Sequence, residues 1–382
     1  MTSPPTGHAE HYAATLAAYG AESGGLRRAH PGFAATLGSP GRPGLAREQR
    51  EHVQNELLAP GATRNEGAGL RAVPEEPDAV RTCFERDLDR VRHSRPFRAL
   101  AGKQQVFLDA DSGLRTRLTH SQEVAQIAEG VAQAVGANAV LARVAGLAHD
   151  TGHGPCGHDS ELAFATFLPA GFDHATYGAD VVLAPLNLTS QVLDAVRQHS
   201  WKLGAPATPE GEILAWADRI AYVVSDFQDA VHAGVVTSGQ LPALVRERAG
   251  TRPSAQIRTF ISALVAGTLA SGTVGMDADT AQALDAFRRF NYSFIYHRPA
   301  AAHQAQRSVA LLRELVEVFA DRPGQLPPLP PGSRGHGQLL LAGSPEALEA
   351  AVHHVAAMTD RTVLGLAVSL LGWPSADLPR GV

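Results

Sequence analysis

Ala148-His149-Asp150-Thr151-Gly152-His153-Gly154-Pro155-Cys156-Gly157-His158 packs three histidines and an aspartate into eleven residues. An apolar run at helical spacing, Val140, Leu141, Val144 and Leu147, leads into it. The glycines and Pro155 then break the helix. His149 and Asp150 are adjacent, so both reach one point only where the chain bends, as it can at a helix end. His153 and His158 follow on a loop able to fold back over the same spot. Imidazole with carboxylate suits a borderline or hard divalent ion. A helix cap or a surface ion pair would use the same two residues. Gly152-x-Gly154-x-x-Gly157 also matches the dinucleotide-binding fingerprint by letter. That fingerprint has to follow a strand and open a helix. Here a helix precedes it, so the nucleotide-binding α/β fold is rejected.

Working outward, the pattern stays helical. Val124, Ile127, Ala128, Val131 and Val135 mark an amphipathic helix that stops at Gly136, and Asn138 is placed to cap the next. His120 therefore starts one helix and His149-Asp150 ends its successor. In an antiparallel pair those two ends are neighbours. Glu161 lies in a helix start after the loop, and His174 lies in Gly171-Phe172-Asp173-His174. Thr189 is placed to cap a helix carrying Val192, Leu193, Val196 and His199, and Pro209 opens a long helix ending near Gly234. Asp218 falls in the middle of that helix on an apolar face, where an unpaired carboxylate is costly. Spacing by four places Asp218, Tyr222 and Asp226 on one face. A buried salt bridge would also explain Asp218, and core packing Tyr222.

Lys103–Phe107 reads as a short extended piece, followed by a turn at Asp111–Gly113. The segment Phe84–His93 alternates arginine and carboxylate, which serves either a solvated helix face or a polyphosphate. Residues 252–320 read as further helices, including Phe287–Tyr296 and Arg307–Phe319, and Ser344–Leu371 is helical again. The expected class is all-α. Residues 1–44, rich in Gly, Pro, Ala and Ser with a short helix near Tyr12–Tyr19, read as a poorly ordered extension. Residues 45–320 form the main domain, 321–343 a Pro/Gly linker and 344–382 a C-terminal helical segment.

Composition narrows the classes. The 382 residues are 44% hydrophobic and 19% charged with a formal net charge of -5, so no overall basic field attracts nucleic acid. No run of 18 apolar residues and no signal-peptide core appears, so no membrane role is expected. Cys83 and Cys156 make no disulfide framework. A soluble cytoplasmic protein is expected. Lys103 and Lys202 are the only lysines, so arginine carries less information here than usual and a retained lysine slightly more.

His120, His149-Asp150 and Asp218, in that order, resemble the His…His-Asp…Asp pattern of the HD superfamily of metal-dependent phosphohydrolases. The flanking words Lys103-Gln104-Gln105-Val106-Phe107, Arg117-Leu118-Thr119-His120-Ser121 and Gly152-His153-Gly154-Pro155 resemble the dGTP triphosphohydrolase family within it. So do Leu186-Asn187-Leu188-Thr189, Ala217-Asp218-Arg219-Ile220-Ala221-Tyr222 and Met358-Thr359-Asp360-Arg361. These words run from Lys103 to Arg361, and the resemblance covers about residues 45–373.

The resemblance implies an HD-domain helical fold with flanking helices. It implies one divalent metal on His120, His149, Asp150 and Asp218, with Mg²⁺ or Mn²⁺ fitting phosphate chemistry and Fe, Co, Ni or Zn admitted by the imidazoles. The implied reaction converts a dNTP to deoxynucleoside and inorganic triphosphate. His158 held by Glu161, with His174 and His153, are the implied proton-handling residues. Lys103 and Arg117 would hold the phosphate tail, with Arg219 and Asp226 as secondary contacts. Gln105, Tyr222 and Tyr296 would lie near sugar or base. A homo-oligomer, hexamer or tetramer, is implied, with room for a single-stranded DNA or dNTP effector. The alternatives are another HD phosphohydrolase, such as a nucleoside 5′-monophosphatase or cyclic-nucleotide phosphodiesterase, or a non-catalytic nucleotide-sensing or DNA-binding scaffold.

Overall fold

Fifteen α-helices and no strand make up the described residues of a computed structural model, which are 44–108, 113–328 and 339–380. The N-terminal extension, most of the Asp111–Gly113 turn and the middle of the proline-rich linker lie outside them. The helices are α1 (Arg47–Glu56), α2 (Cys83–Arg92), α3 (Arg95–Ala99), α4 (Arg117–Val135), α5 (Ala139–Ala148), α6 (His158–Phe164), α7 (His174–Tyr177) and α8 (Ser190–Gln198). They continue as α9 (Pro209–His232), α10 (Ala243–Ala249), α11 (Pro253–Ser271), α12 (Ala278–Asn291), α13 (Pro299–Asp321), α14 (Pro345–Ala356) and α15 (Asp360–Ser369). Among the described residues no helix is long and apolar enough to cross a membrane.

Helices α4 and α5 pack tightly because a glycine lets them. A Cβ on Gly146 would sit 2.7 Å from the Ala125 Cα. Gly136, at φ 76°, ends α4 in the left-handed conformation, and the Asn138 side chain accepts from Leu141 N–H to start α5. Apolar faces of α4, α5, α9, α11 and α12 close over Ile127, Val131, Leu214, Ile220, Phe260 and Phe287. Each such side chain, fully buried, contributes about 1.5–3 kcal/mol. The other side of α5 packs Leu141, Val144 and Leu147 against Phe84 of α2 and Val192 of α8. A third cluster joins α6, α13, α14 and α15 through Phe164, Leu312, Leu315, Val352 and Val363.

Three local features differ from the pattern reading. Thr189 precedes α8 but does not cap it: its hydroxyl and N–H both donate to the buried Asp87 carboxylate, at 2.7 and 2.9 Å. The Phe287–Tyr296 helix ends at Asn291 and widens into a π-turn, with His297 N–H donating to Tyr292 C=O. Ser344–Leu371 divides into α14 and α15, the second capped by Thr359. The arginine-rich α2 is laced to carboxylates. Arg71 pairs with Asp87 at 2.6 Å in full burial, and Glu75 takes both Arg86 and Arg90.

Candidate metal centre and proton-transfer cluster

The end of α5, the first turn of α4 and the middle of α9 bring four side chains together. His120 Nε2 lies 3.0 Å from Asp218 Oδ1. His149 Nε2 lies 3.3 Å from Asp150 Oδ1 and 3.6 Å from Asp218 Oδ1. His149 is the C-cap residue of α5, and its Nδ1–H donates to Gly146 C=O at 2.7 Å. That bond places the ring's proton on Nδ1 and leaves a lone pair on Nε2. This buried nitrogen has no hydrogen-bond partner and faces two carboxylate oxygens. Acceptor against acceptor in a buried site calls for a cation between them. The donor set, two imidazoles and two carboxylates, fits a divalent metal. Metal binding would displace the proton that His120 shares with Asp218.

Electrostatics support the ionised carboxylates. Burial alone would raise the Asp150 carboxyl, but the Arg117 guanidinium holds it well below the usual carboxylate range. Arg117 Nη1 donates to Asp150 Oδ2 at 2.9 Å. Burial also opposes ionisation of Asp218, yet the His120 hydrogen bond brings it down to about 2.

Beside these donors lies a histidine–carboxylate array built on the loop after α5. Cys156 and Gly157 both adopt positive φ, 62° and 61°, which turns the chain sharply into α6. Glu161 Oε1 receives His174 Nδ1–H at 2.5 Å and lies 3.2 Å from His158 Nδ1. Burial would raise Glu161, but the bonds from His158 and His174 pull it well below the usual range. The His153 ring stacks on His174 at 3.7 Å, and its Nε2 lies 3.3 Å from Asp150 Oδ1. Burial and the nearby Arg117 push His153 well below the usual histidine range. The His158 side chain is 67% exposed and those of His153 and His174 are buried.

The remaining expected contacts spread around the centre. Asp226, one face of α9 along from Asp218, accepts from Tyr296 Oη at 2.5 Å, and its Oδ1 is buried with no partner. Burial raises its carboxyl to about 7 against the Tyr296 bond. Tyr222, on the same helix face, is pushed up to about 12 by burial. Gln105 Oε1 is another buried acceptor without a partner. Arg219 stacks over Trp201 at 3.3 Å from the ring centre. Lys103 is buried, its Nζ donating to His153 C=O at 2.5 Å and Ala356 C=O at 2.9 Å, and burial lowers it to about 8.

One residue at the centre escaped the pattern reading. His199 is 3% exposed, and its Nε2 lies 3.2 Å from His174 Nε2. Burial lowers it from the ordinary histidine range. It is the C-cap of α8, as His149 is of α5, and that shared position was the available signal.

Residues 117–223 match the HD domain, and residues 274–367 match the phosphohydrolase-associated domain. The first match holds the whole donor set. The chain is 33% identical over 288 residues to a deoxyguanosinetriphosphate triphosphohydrolase-like protein of Caldanaerobacter subterraneus subsp. tengcongensis, covering 74% of this chain and 85% of that protein. It is also 33% identical over 385 residues to deoxyguanosinetriphosphate triphosphohydrolase-like protein 1 of Deinococcus radiodurans, covering 86% of this chain and 100% of that protein. Helical architecture, the clustered histidines and aspartates, and these similarities over most of the chain converge. This protein belongs to the deoxyguanosinetriphosphate triphosphohydrolase-like family of HD-domain phosphohydrolases.

Proposed function

We propose that this protein hydrolyses deoxynucleoside triphosphates to deoxynucleoside and inorganic triphosphate, with a divalent ion, Mg²⁺ or Mn²⁺, held by His120, His149, Asp150 and Asp218. The observation that carries this reading is a donor set, buried apart from the half-buried Asp218, lying directly beside a histidine–carboxylate array whose outer member, His158, is exposed and has one ring nitrogen uncommitted. When bound, the ion supplies polarisation of a phosphate oxygen and a lowered pKa for water. Breaking the bond between the α-phosphorus and O5′ expels an alkoxide, which needs a proton donor. Glu161 orients His158 through Nδ1, so the Nε2–H of His158 delivers a proton to O5′ as the water oxygen bonds to the α-phosphorus, the bond from that phosphorus to O5′ breaks and the water's own proton passes to solvent. His174 shares Glu161 and keeps that carboxylate ionised. Arg117 keeps a buried Nε without a partner, and Lys103 keeps one of its three donors; both are assigned to the phosphate tail. Asp226 Oδ1 and Gln105 Oε1 are assigned to sugar or base hydrogen-bond donors, with Tyr222 and Tyr296 as walls. Arg219, held on Trp201, is assigned to the rim.

Product analysis tests the reading. A panel of dNTPs with Mn²⁺ or Mg²⁺ should yield deoxynucleoside and intact triphosphate in one step. Orthophosphate or pyrophosphate as first product would overturn it in favour of another phosphohydrolase activity.

A further inference from the structure

Trp201, in the loop between α8 and α9, is a large side chain left 47% exposed, yet it is pinned on three sides. Its Nε1–H donates to Ala215 C=O of α9 at 3.2 Å. Its ring meets that of Trp216 edge to face, with centres 4.8 Å apart. The Arg219 guanidinium carbon lies over it, 3.3 Å from the ring centre. The stack stands at the edge of the donor set, because Trp201 follows His199 by two residues and Arg219 directly follows Asp218.

An arginine with a purely structural task commits its donors. Arg71 gives its own to Asp87 and to the carbonyls of Ala68, Cys83 and Asn187. Arg219 does the opposite. Among the described residues none of its N–H groups has a hydrogen-bond or ion-pair partner, and its Nε is buried. The indole attracts the cation through its π face and takes none of the five N–H donors, which all lie in the guanidinium plane. Stacking therefore fixes the plane and leaves the fork free at its edge. A fork of that shape fits two oxygens of one phosphate group.

We propose that Trp201 is a positioning residue: it holds the Arg219 guanidinium flat before any ligand arrives, so that the free edge receives an oxyanion of the substrate's triphosphate. The inference rests on the triphosphate reading of the site, and its experiment separates the two. Binding of inorganic triphosphate to the full-length protein in excess Mg²⁺ is measured by calorimetry, beside KM and kcat for a dNTP. The variants are Trp201→Leu, Trp201→Phe, Arg219→Gln and the Leu–Gln double variant. Trp201→Leu should weaken triphosphate about 2–10-fold, the range for ordering one long side chain at each binding event. KM should rise to match with kcat unchanged, because a contact on the tail is made equally before and in the transition state. Trp201→Phe should recover most of the affinity, since a ring remains under the guanidinium. In the Arg219→Gln background Trp201→Leu should change nothing further, the signature of a residue acting through another. Unchanged affinity in Trp201→Leu overturns the proposal. An equal loss with and without Arg219 also overturns it, because the indole would then touch the ligand itself. The expected coupling in a protein that releases orthophosphate or pyrophosphate from a dNTP supports the role of Trp201 and overturns the proposed reaction instead.

Discussion

At the scale of single residues the site is decided by which nitrogen or oxygen is left without a partner. His158 is the group with exposure, a supporting carboxylate and a spare nitrogen. His158→Ala should keep its metal and lose about 10²–10⁴-fold in kcat, the range for a general acid. Metal analysis beside steady-state kinetics checks this, and an Ala variant as active as the parent would move the role to His174 or His153. Asp226 offers a separate, pH-dependent readout. Its carboxyl titrates at about 7 in the folded protein against a reference of 3.8. The folded value is raised, so the stability linked to its neutral form is complete below about pH 4 and is lost as pH rises through about 7. The loss is at most about 4 kcal/mol for a carboxyl displaced that far. Asp226→Asn should remove it, giving a thermal midpoint that depends less on pH between 5 and 8. An unchanged pH slope would show that Asp226 does not carry this linkage.

Helix pairs set how closely those residues meet. His120 and His149 stand on α4 and α5, with ring centres 5.3 Å apart. Their approach depends on Gly146, where any side chain meets the Ala125 backbone. Gly146→Val should force the helices apart and destabilise the fold by about 1–3 kcal/mol, as overpacking does. Metal affinity should fall with it, although Gly146 Cα bears no ligand. Denaturant unfolding and metal titration on the same sample test this; full metal affinity in a destabilised Val variant would separate helix spacing from ligand geometry. The π-turn at Tyr292–Tyr296 has a comparable role. It brings Tyr296 Oη onto Asp226 of α9.

Across the whole chain, the C-terminal helices reach back to the loop that carries His158. Asp360, 4% exposed at the start of α15, accepts Gln104 N–H at 2.7 Å and Cys156 N–H at 2.8 Å. Lys103 ties the end of α14 to His153 C=O. Gly102 sits so close to Thr359 that a Cβ would meet its methyl at 2.6 Å. Asp360→Ala would leave two half-buried backbone donors unpaired beside the left-handed Cys156, a cost of about 1–3 kcal/mol. The expected outcome is retained metal with reduced kcat, because the loop that presents His158 loosens while the donors on α4, α5 and α9 do not. Loss of metal in step with kcat would instead place the damage at the donor set.

The sequence by itself determined the class and much of the centre. Helical spacing around Val124–Val135 and Val140–Leu147, with Gly136 and Asn138 between, dictates an antiparallel helix pair. That pair makes neighbours of His120 and His149, because these signals are local and act through backbone conformation and one apolar face. Asp218 was legible for a related reason: a carboxylate on an apolar helix face demands a partner. Only the tertiary structure decided the rest. The α2 arginines were ambiguous until their carboxylate partner, Glu75 in the loop before the helix, was in place. Thr189 looked like a cap because the competing acceptor, Asp87, is about a hundred residues away in sequence. His199 carried one local signal, its place at the end of α8; it joins the centre because α8 packs on α5 and α9, which composition and spacing within α8 do not reveal. Hydrogen-bond partnership across long sequence separations is a property of packing, and it selects which polar atoms remain free for chemistry.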